Sequence, residues 1–247
     1  MFHVEQKIFF QRQAFAQELK KSAQLLPRAL FFEEQERLVF YYVLLLEGNQ
    51  RMNLTAITEP VEAVHKHIVD SLTLALFLPQ VGSLVDVGSG AGLPGLPLAV
   101  VCPQLSFSLL DSLAKRCNWL AETSEALGLK NTKIINSRAE AAGQNKNLRE
   151  SFDGAFARAV AALPVLAEYL LPLVKVGGFC WAMKGPEAEK EVAEAANALK
   201  ILGGKVQQIY LYNLASGETR SIIVIEKVAE TPDAYPRREG RPKKQPL

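Results

Sequence analysis

Four glycines crowd behind an aspartate in the run Leu84-Val85-Asp86-Val87-Gly88-Ser89-Gly90-Ala91-Gly92-Leu93-Pro94-Gly95, just where an apolar stretch ends. A turn so poor in side chains, placed between a strand and a helix, brings peptide N–H groups close to a ligand. A second carboxylate, Asp111, closes the next apolar run at 105–110, at the spacing expected of a group that reaches ribose hydroxyls. The pair points to a nucleoside cofactor. The glycine spacing is looser than the dinucleotide fingerprint and an acidic residue precedes it, which favours S-adenosylmethionine over NAD. No Gly-Lys-Ser/Thr follows the glycines, so ATP hydrolysis is disfavoured. The candidate cofactor contacts are therefore Asp86, Gly88, Gly90, Gly92, Leu93 and Asp111. Taken alone, Asp111 also suits a helix N-cap.

Further candidates stand where later strands end. Ala139 and Glu140 follow the third strand and could frame an adenine edge, while Arg138 beside them and Arg158 after the fourth strand carry planar forks suited to phosphate or to the O6 and N7 edge of guanine. Lys184 follows the fifth strand and is placed to meet substrate charge. The plainer reading of the two arginines is a solvated surface. His65 and His67, with Asp70 and Ser71, could touch a cofactor carboxylate or RNA. Two residues apart on a helix, the histidines do not share a face. With three histidines and no cysteine near them, the chain offers no metal-ligand spacing.

The elements that must hold these groups follow from the hydrophobic pattern. At 247 residues, 49% apolar and 22% charged, the chain can bury one full α/β core with a small addition. Helical spacing dominates residues 1–80, a helical cap. From 81 to 228, short apolar runs alternate with helical stretches, the pattern of a doubly wound sheet. Strands are expected at 83–87, 105–110, 132–135, 154–157, 179–183, 206–211 and 221–225, with helices at 93–101, 113–127, 162–174 and 187–202. The short link between the last two strands predicts a hairpin, so the final strand should run antiparallel. Residues 229–247 read as a flexible tail, and six basic against three acidic residues from Lys227 onward suit a loose contact to a polyanion. Cys102, Cys117 and Cys180 lack a disulfide pattern, which suits a reducing interior. The longest apolar run, 91–102, contains Pro94 and Pro97 and is too short to span a membrane.

Between about Tyr41 and Glu226 the chain resembles the GidB/RsmG family of bacterial small-subunit ribosomal RNA guanine-N7 methyltransferases. The likeness rests on Asn49 with Asn53-Leu54-Thr55, His67-Ile68-Val69-Asp70-Ser71, the glycine run from Asp86 to Pro97, and Leu109-Leu110-Asp111-Ser112-Leu113 with Lys115-Arg116. Ser137-Arg138-Ala139-Glu140, Phe152-Asp153 with Ala157-Arg158-Ala159, and Ala182-Met183-Lys184-Gly185 extend it. The resemblance implies a Rossmann-like class I S-adenosylmethionine-dependent fold, a mostly parallel seven-stranded sheet with a helical cap. It implies a cytoplasmic, monomeric or weakly associating enzyme that methylates N7 of a guanine in the 530 loop of 16S ribosomal RNA, free or within a small-subunit particle. On the same grounds Gly88, Gly90, Asp111, Ala139 and Glu140 belong to the cofactor. Arg138, Arg158 and Lys184 belong to the substrate face, with Arg158 also near the cofactor and no general base expected. Gly48 departs from the family, which usually carries tryptophan there. A competing reading keeps the fold and RNA binding without turnover.

Overall fold

The computed structural model describes residues 2–247. Seven strands form one sheet: β1 (Gly82–Val87), β2 (Leu105–Asp111), β3 (Thr132–Asn136), β4 (Phe152–Arg158), β5 (Val174–Lys184), β6 (Gly204–Asn213) and β7 (Thr219–Lys227). Their spatial order is β3-β2-β1-β4-β5-β7-β6, with β7 antiparallel to both its neighbours as the hairpin predicts. The five strands β1 to β5 pair in parallel. Strand order reverses at β1, flanked by β2 and β4, and a crevice opens there beyond the carboxyl ends. β1 reads Leu-Val-Asp-Val over its last four residues, all buried, because helices cover both faces of a parallel sheet.

The cap consists of α1 (Phe2–Lys21), α2 (Phe32–Asn49), α3 (Pro60–Ala63) and α4 (Asp70–Thr73), the last two joined by a π-helical segment, Val64–Val69. Phe15 stacks on Tyr42 with ring centroids 4.2 Å apart, and Leu19, Leu38, Tyr41 and Leu45 complete the buried seam. The Tyr41 hydroxyl donates to the Ala91 carbonyl at 2.8 Å, which ties the cap to the glycine turn. The wider π-helical turn sends the two histidines to different partners: His65 lies 3.0 Å from Glu18, and His67 lies 3.0 Å from the Thr55 hydroxyl.

The remaining helices are α5 (Gly95–Val101), α6 (Ala114–Ala126), α7 (Ala139–Gln144), α8 (Leu163–Leu170), α9 (Ala188–Glu194), α10 (Ala196–Leu202) and α11 (Arg241–Lys244). α7 and α11 stand where no helix is expected, and three further elements, one of them a strand, depart from the sequence expectation. α8 gives way to a 3-10 turn at Leu171–Leu173, where Pro172 lacks the N–H to continue it. The helix expected over 187–202 breaks at Ala195 into α9, held at Glu191 by Lys184, and α10, packed on α8. Gly177 and Gly178 do not precede the fifth strand but form a register shift within it. Gly177 has φ +87°, and a Cβ on Gly178 would lie 2.6 Å from the Asp153 carbonyl.

The largest correction concerns residues 229–247, which are packed rather than loose. Arg237 grips the fully buried Glu168 carboxylate with Nε at 2.9 Å and Nη2 at 2.6 Å, and its backbone N–H donates to the same group at 2.7 Å. Arg149 donates to the carbonyls of Thr231 and Tyr235, and Gln144 to those of Asp233 and Pro236. Lys227, fully buried, reaches Glu150 at 2.9 Å and the Leu171 carbonyl at 2.8 Å, and it contacts the Thr231 hydroxyl. Polar anchors on the body, invisible in the tail's own composition, act together with the buried Pro236 and Pro242 and with Tyr235 and Leu247 packed on the core. No helix among the described residues is long and apolar enough to cross a membrane.

Candidate active site

After β1 the chain turns through Gly88, Gly90 and Gly92, with φ of +77°, +54° and +81°. Only glycine adopts three such angles in succession without strain. The N–H groups of Gly88 and Ser89 both donate to the Leu110 carbonyl, at 2.8 and 3.0 Å, and that of Gly90 donates to Asp111 Oδ2 at 2.9 Å. The turn is thus laced to the end of β2. A Cβ on Gly88 would lie 2.8 Å from Val160 across the crevice.

A cleft of about 290 Å³ opens beside this turn, lined among others by Gly88, Asp111, Arg116, Arg138, Ala139 and Tyr169. Asp111 is buried, with Oδ1 accepting from Leu113 N–H at 2.9 Å and Oδ2 from Gly90. Each carboxylate oxygen retains a lone pair, so a ribose diol can still donate to it. An adenosyl group fits this donor and acceptor set. Glu140, at the same cleft, turns its carboxylate to the Gly240 N–H at 2.9 Å.

Four expected cofactor contacts lie elsewhere, Arg158 among them in the second cavity described below. Asp86 sits beneath the turn, 1% exposed, with Oδ2 accepting from the Gly95 N–H at 3.1 Å and Oδ1 unpartnered. Burial pushes its carboxyl up to about 7. Gly92 faces the core, where a Cβ would collide with Leu96, and Leu93 is buried in the same cluster. These residues shape the turn from below because its close spacing alternately aims groups toward the crevice and into α5.

A second cavity, about 420 Å³, adjoins the first through Ala159, which lines both. Ala159 is a non-glycine residue with φ +57°, a conformation costing about 1 kcal/mol or more that recurs at functional sites. Asp70, buried at its centre, accepts from Arg158 Nη1 at 2.7 Å through Oδ2 and from the Tyr212 hydroxyl at 2.7 Å through Oδ1. Arg158 Nη1 also donates to the Lys66 carbonyl at 3.0 Å. Burial and the adjacent Asp70 raise the Tyr212 phenol well above its ordinary value, so it stays a donor. His67 is pulled down to about 4, by burial first and then by Arg158, so its ring is neutral near pH 7. Lys184 lines the cavity but commits its ammonium to Glu191 and the Ala161 carbonyl, both at 2.6 Å.

The expected cationic trio is thereby divided. Arg158 and Lys184 share the second cavity, whereas Arg138 lines the first and pairs with Glu239 at 3.0 Å. Tyr212, Lys66 and Arg220 of the second cavity, and Tyr169 and Val160 of the first, were not singled out by sequence. Tyr212 is 142 residues from Asp70, and no local pattern connects them.

The loop after α2 completes the second cavity. Asn49 Oδ1 accepts from the N–H groups of Leu54 and Thr55, at 2.7 and 2.9 Å, which sets Thr55 against His67. Gly48 leaves room for the indole of Trp119 from α6, with which any Cβ at this position would collide.

The family model described as rRNA small subunit methyltransferase G matches residues 34–222. The chain is 45% identical to Ribosomal RNA small subunit methyltransferase G of Alkaliphilus metalliredigens, over 93% of this chain and 97% of that one. It is 46% identical to the protein of that name from Lactobacillus johnsonii, over 87% and 92%. Among solved structures, M. jannaschii TYW2 in complex with AdoMet superposes with a TM-score of 0.53 at 15% identity, covering 66% of this chain and 76% of that one. A SAM dependent methyltransferase from Aquifex aeolicus gives 0.51 at 17% identity, over 66% and 93%. Both share the Rossmann-like fold.

Proposed function

Because the chain belongs to the family of rRNA small subunit methyltransferase G, we infer that it transfers a methyl group from S-adenosylmethionine to N7 of a guanine in the 530 loop of 16S ribosomal RNA. The observation that carries the reading beyond family membership is the junction of two cavities at Ala159. One offers bare backbone and a carboxylate that suit an adenosyl group, and the other carries four cations, each paired with a carboxylate, around Asp70 and Tyr212.

Bound S-adenosylmethionine supplies an electrophilic methyl on a sulfonium. Asp111 would hold the cofactor by accepting from its ribose hydroxyls, with the bare backbone turn at Gly88 and Gly90 and the Ala139–Glu140 segment forming the walls that would receive it. Guanine N7 carries an in-plane lone pair and no proton, so no general base has to be supplied. The chain's task is alignment. Arg158, fixed by Asp70, orients the target nucleotide through phosphate or O6, and Lys184, paired with Glu191, steadies the wall beside it. Arg138 extends the substrate face from the first cavity. The enzyme works as a cytoplasmic monomer on free RNA or on an assembling small subunit.

The test is to map N7-methylguanine in small-subunit RNA from cells with and without the gene, then add purified protein and cofactor to the undermethylated RNA. A mark that disappears with the gene and returns in vitro supports the assignment. A mark that persists without the gene overturns it.

A further inference from the structure

The packed C-terminal segment carries cations that the site described above does not use. Arg237 is spent on Glu168, and Glu239 on Arg138, both in ion pairs. Arg238, Arg241, Lys243 and Lys244 remain exposed, and none forms an ion pair among the described residues. A basic run of this kind is ordinarily a solvated, mobile tail. Here the body holds it still. The Arg237–Glu168 pair fixes its start, the Gly240 N–H caps Glu140 at 2.9 Å, and Pro242 is buried within α11.

The anchoring also sets its position. Glu140 and Arg138 line the adenosyl cleft, and their outward partners, Gly240 and Glu239, lie in the segment itself. Arg238 and Arg241 therefore flank the two residues that meet the rim of the cleft, and Lys243 and Lys244 follow within α11. The family model ends at residue 222, so this strip lies outside the matched core.

We propose that residues 238–244 form an ordered phosphate-docking strip for RNA, which grips the backbone of the substrate beside the adenosyl cleft while Arg158 handles the target nucleotide. The proposal rests on the ribosomal RNA reading above. Charge complementarity selects the occupant: four unpaired cations fixed at the mouth of an RNA-modifying site match a phosphate backbone. Contacts of this kind confer affinity and salt dependence without reading bases.

The test neutralises the strip while sparing its anchors, with Arg238→Gln, Arg241→Gln, Lys243→Gln and Lys244→Gln combined. A charge-matched control carries Lys130→Gln, Lys175→Gln, Lys200→Gln and Lys205→Gln, exposed positions toward the amino ends of the parallel strands. Binding of small-subunit RNA is measured across a salt series, with cofactor affinity and methylation kinetics alongside. The strip variant should lose up to about 3 from the slope of log affinity against log salt, the loss expected for four phosphate contacts. Its KM for RNA should rise about tenfold or more near physiological salt, with cofactor affinity retained and kcat held at saturating RNA. An unchanged slope, or an equal loss in the control, overturns the strip. Failure of the unaltered protein to methylate small-subunit RNA overturns the functional reading instead, and the strip with it.

Discussion

The chemistry of single residues turns on how few of them are free. Asp70 is the hub, because its two oxygens hold Arg158 and Tyr212 from opposite sides of the second cavity. Replacing Arg158 with alanine should lower methylation about a hundredfold, the order expected when a positioning group is lost, while calorimetric cofactor affinity stays unchanged. Arg158→Lys should fail to restore the rate because an ammonium cannot reproduce the fork. Asp86 makes a different prediction. Its carboxyl is raised from 3.8 to about 7, so its contribution to stability is complete below about pH 4 and is lost as pH rises through about 7. His67 acts in the opposite sense. Lowered from 6.5 to about 4, it contributes stability above about pH 6.5 that is lost as pH falls through about 4. Asp86→Asn keeps an acceptor for Gly95 without the buried charge. Urea denaturation should therefore show the variant gaining on the parent protein from pH 5 to pH 8. A gap that stays constant across that range would show that Asp86 is not the titrating group.

Secondary elements were the most legible part of the sequence. Short apolar runs separated by glycine and charged residues gave all seven strands, and the brief 212–220 link gave the antiparallel hairpin. The breaks inside elements were harder to read. Ala195 interrupts a helix in a residue type that favours helices, because Glu191 and α10 answer to different neighbours. The site was legible where motif and strand end coincide, at Gly88 and Asp111. It was not at Tyr212, whose partner is remote in sequence, nor at Asp86, whose burial depends on α5. Element packing also accounts for Gly48. The α6 indole of Trp119 occupies the volume beside it, so introducing tryptophan at position 48 should overpack the α2–α6 contact and cost about 1–3 kcal/mol. Trp119→Ala alone should cost about 3–5 kcal/mol. The combined Gly48→Trp and Trp119→Ala protein should be more stable than the sum of the two losses predicts. Strict additivity in denaturant melts would mean that the two positions do not share a space.

At the scale of the whole molecule, the C-terminal segment is bound to the body by ion pairs and carbonyl hydrogen bonds, together with the buried Pro236 and Pro242 and the packed Tyr235 and Leu247. Arg237→Ala strips Glu168 of its partner inside the protein, a loss of about 3–5 kcal/mol when a buried pair is broken. The segment should then open to trypsin at Arg238, Lys243 and Lys244 well before the rest of the chain is cut. Equal cleavage rates in variant and parent would assign the anchoring to Arg149 and Lys227 instead. Strand order has a consequence for the chain's biosynthesis. β7 is the last strand to emerge during translation, yet its place is in the interior between β5 and β6. Until it arrives, β5 is a bare border, and β6 cannot take its permanent seat without closing the slot that β7 must enter. A nascent chain stalled before residue 219 therefore exposes two sticky margins, and premature termination there yields an aggregating species rather than a smaller enzyme.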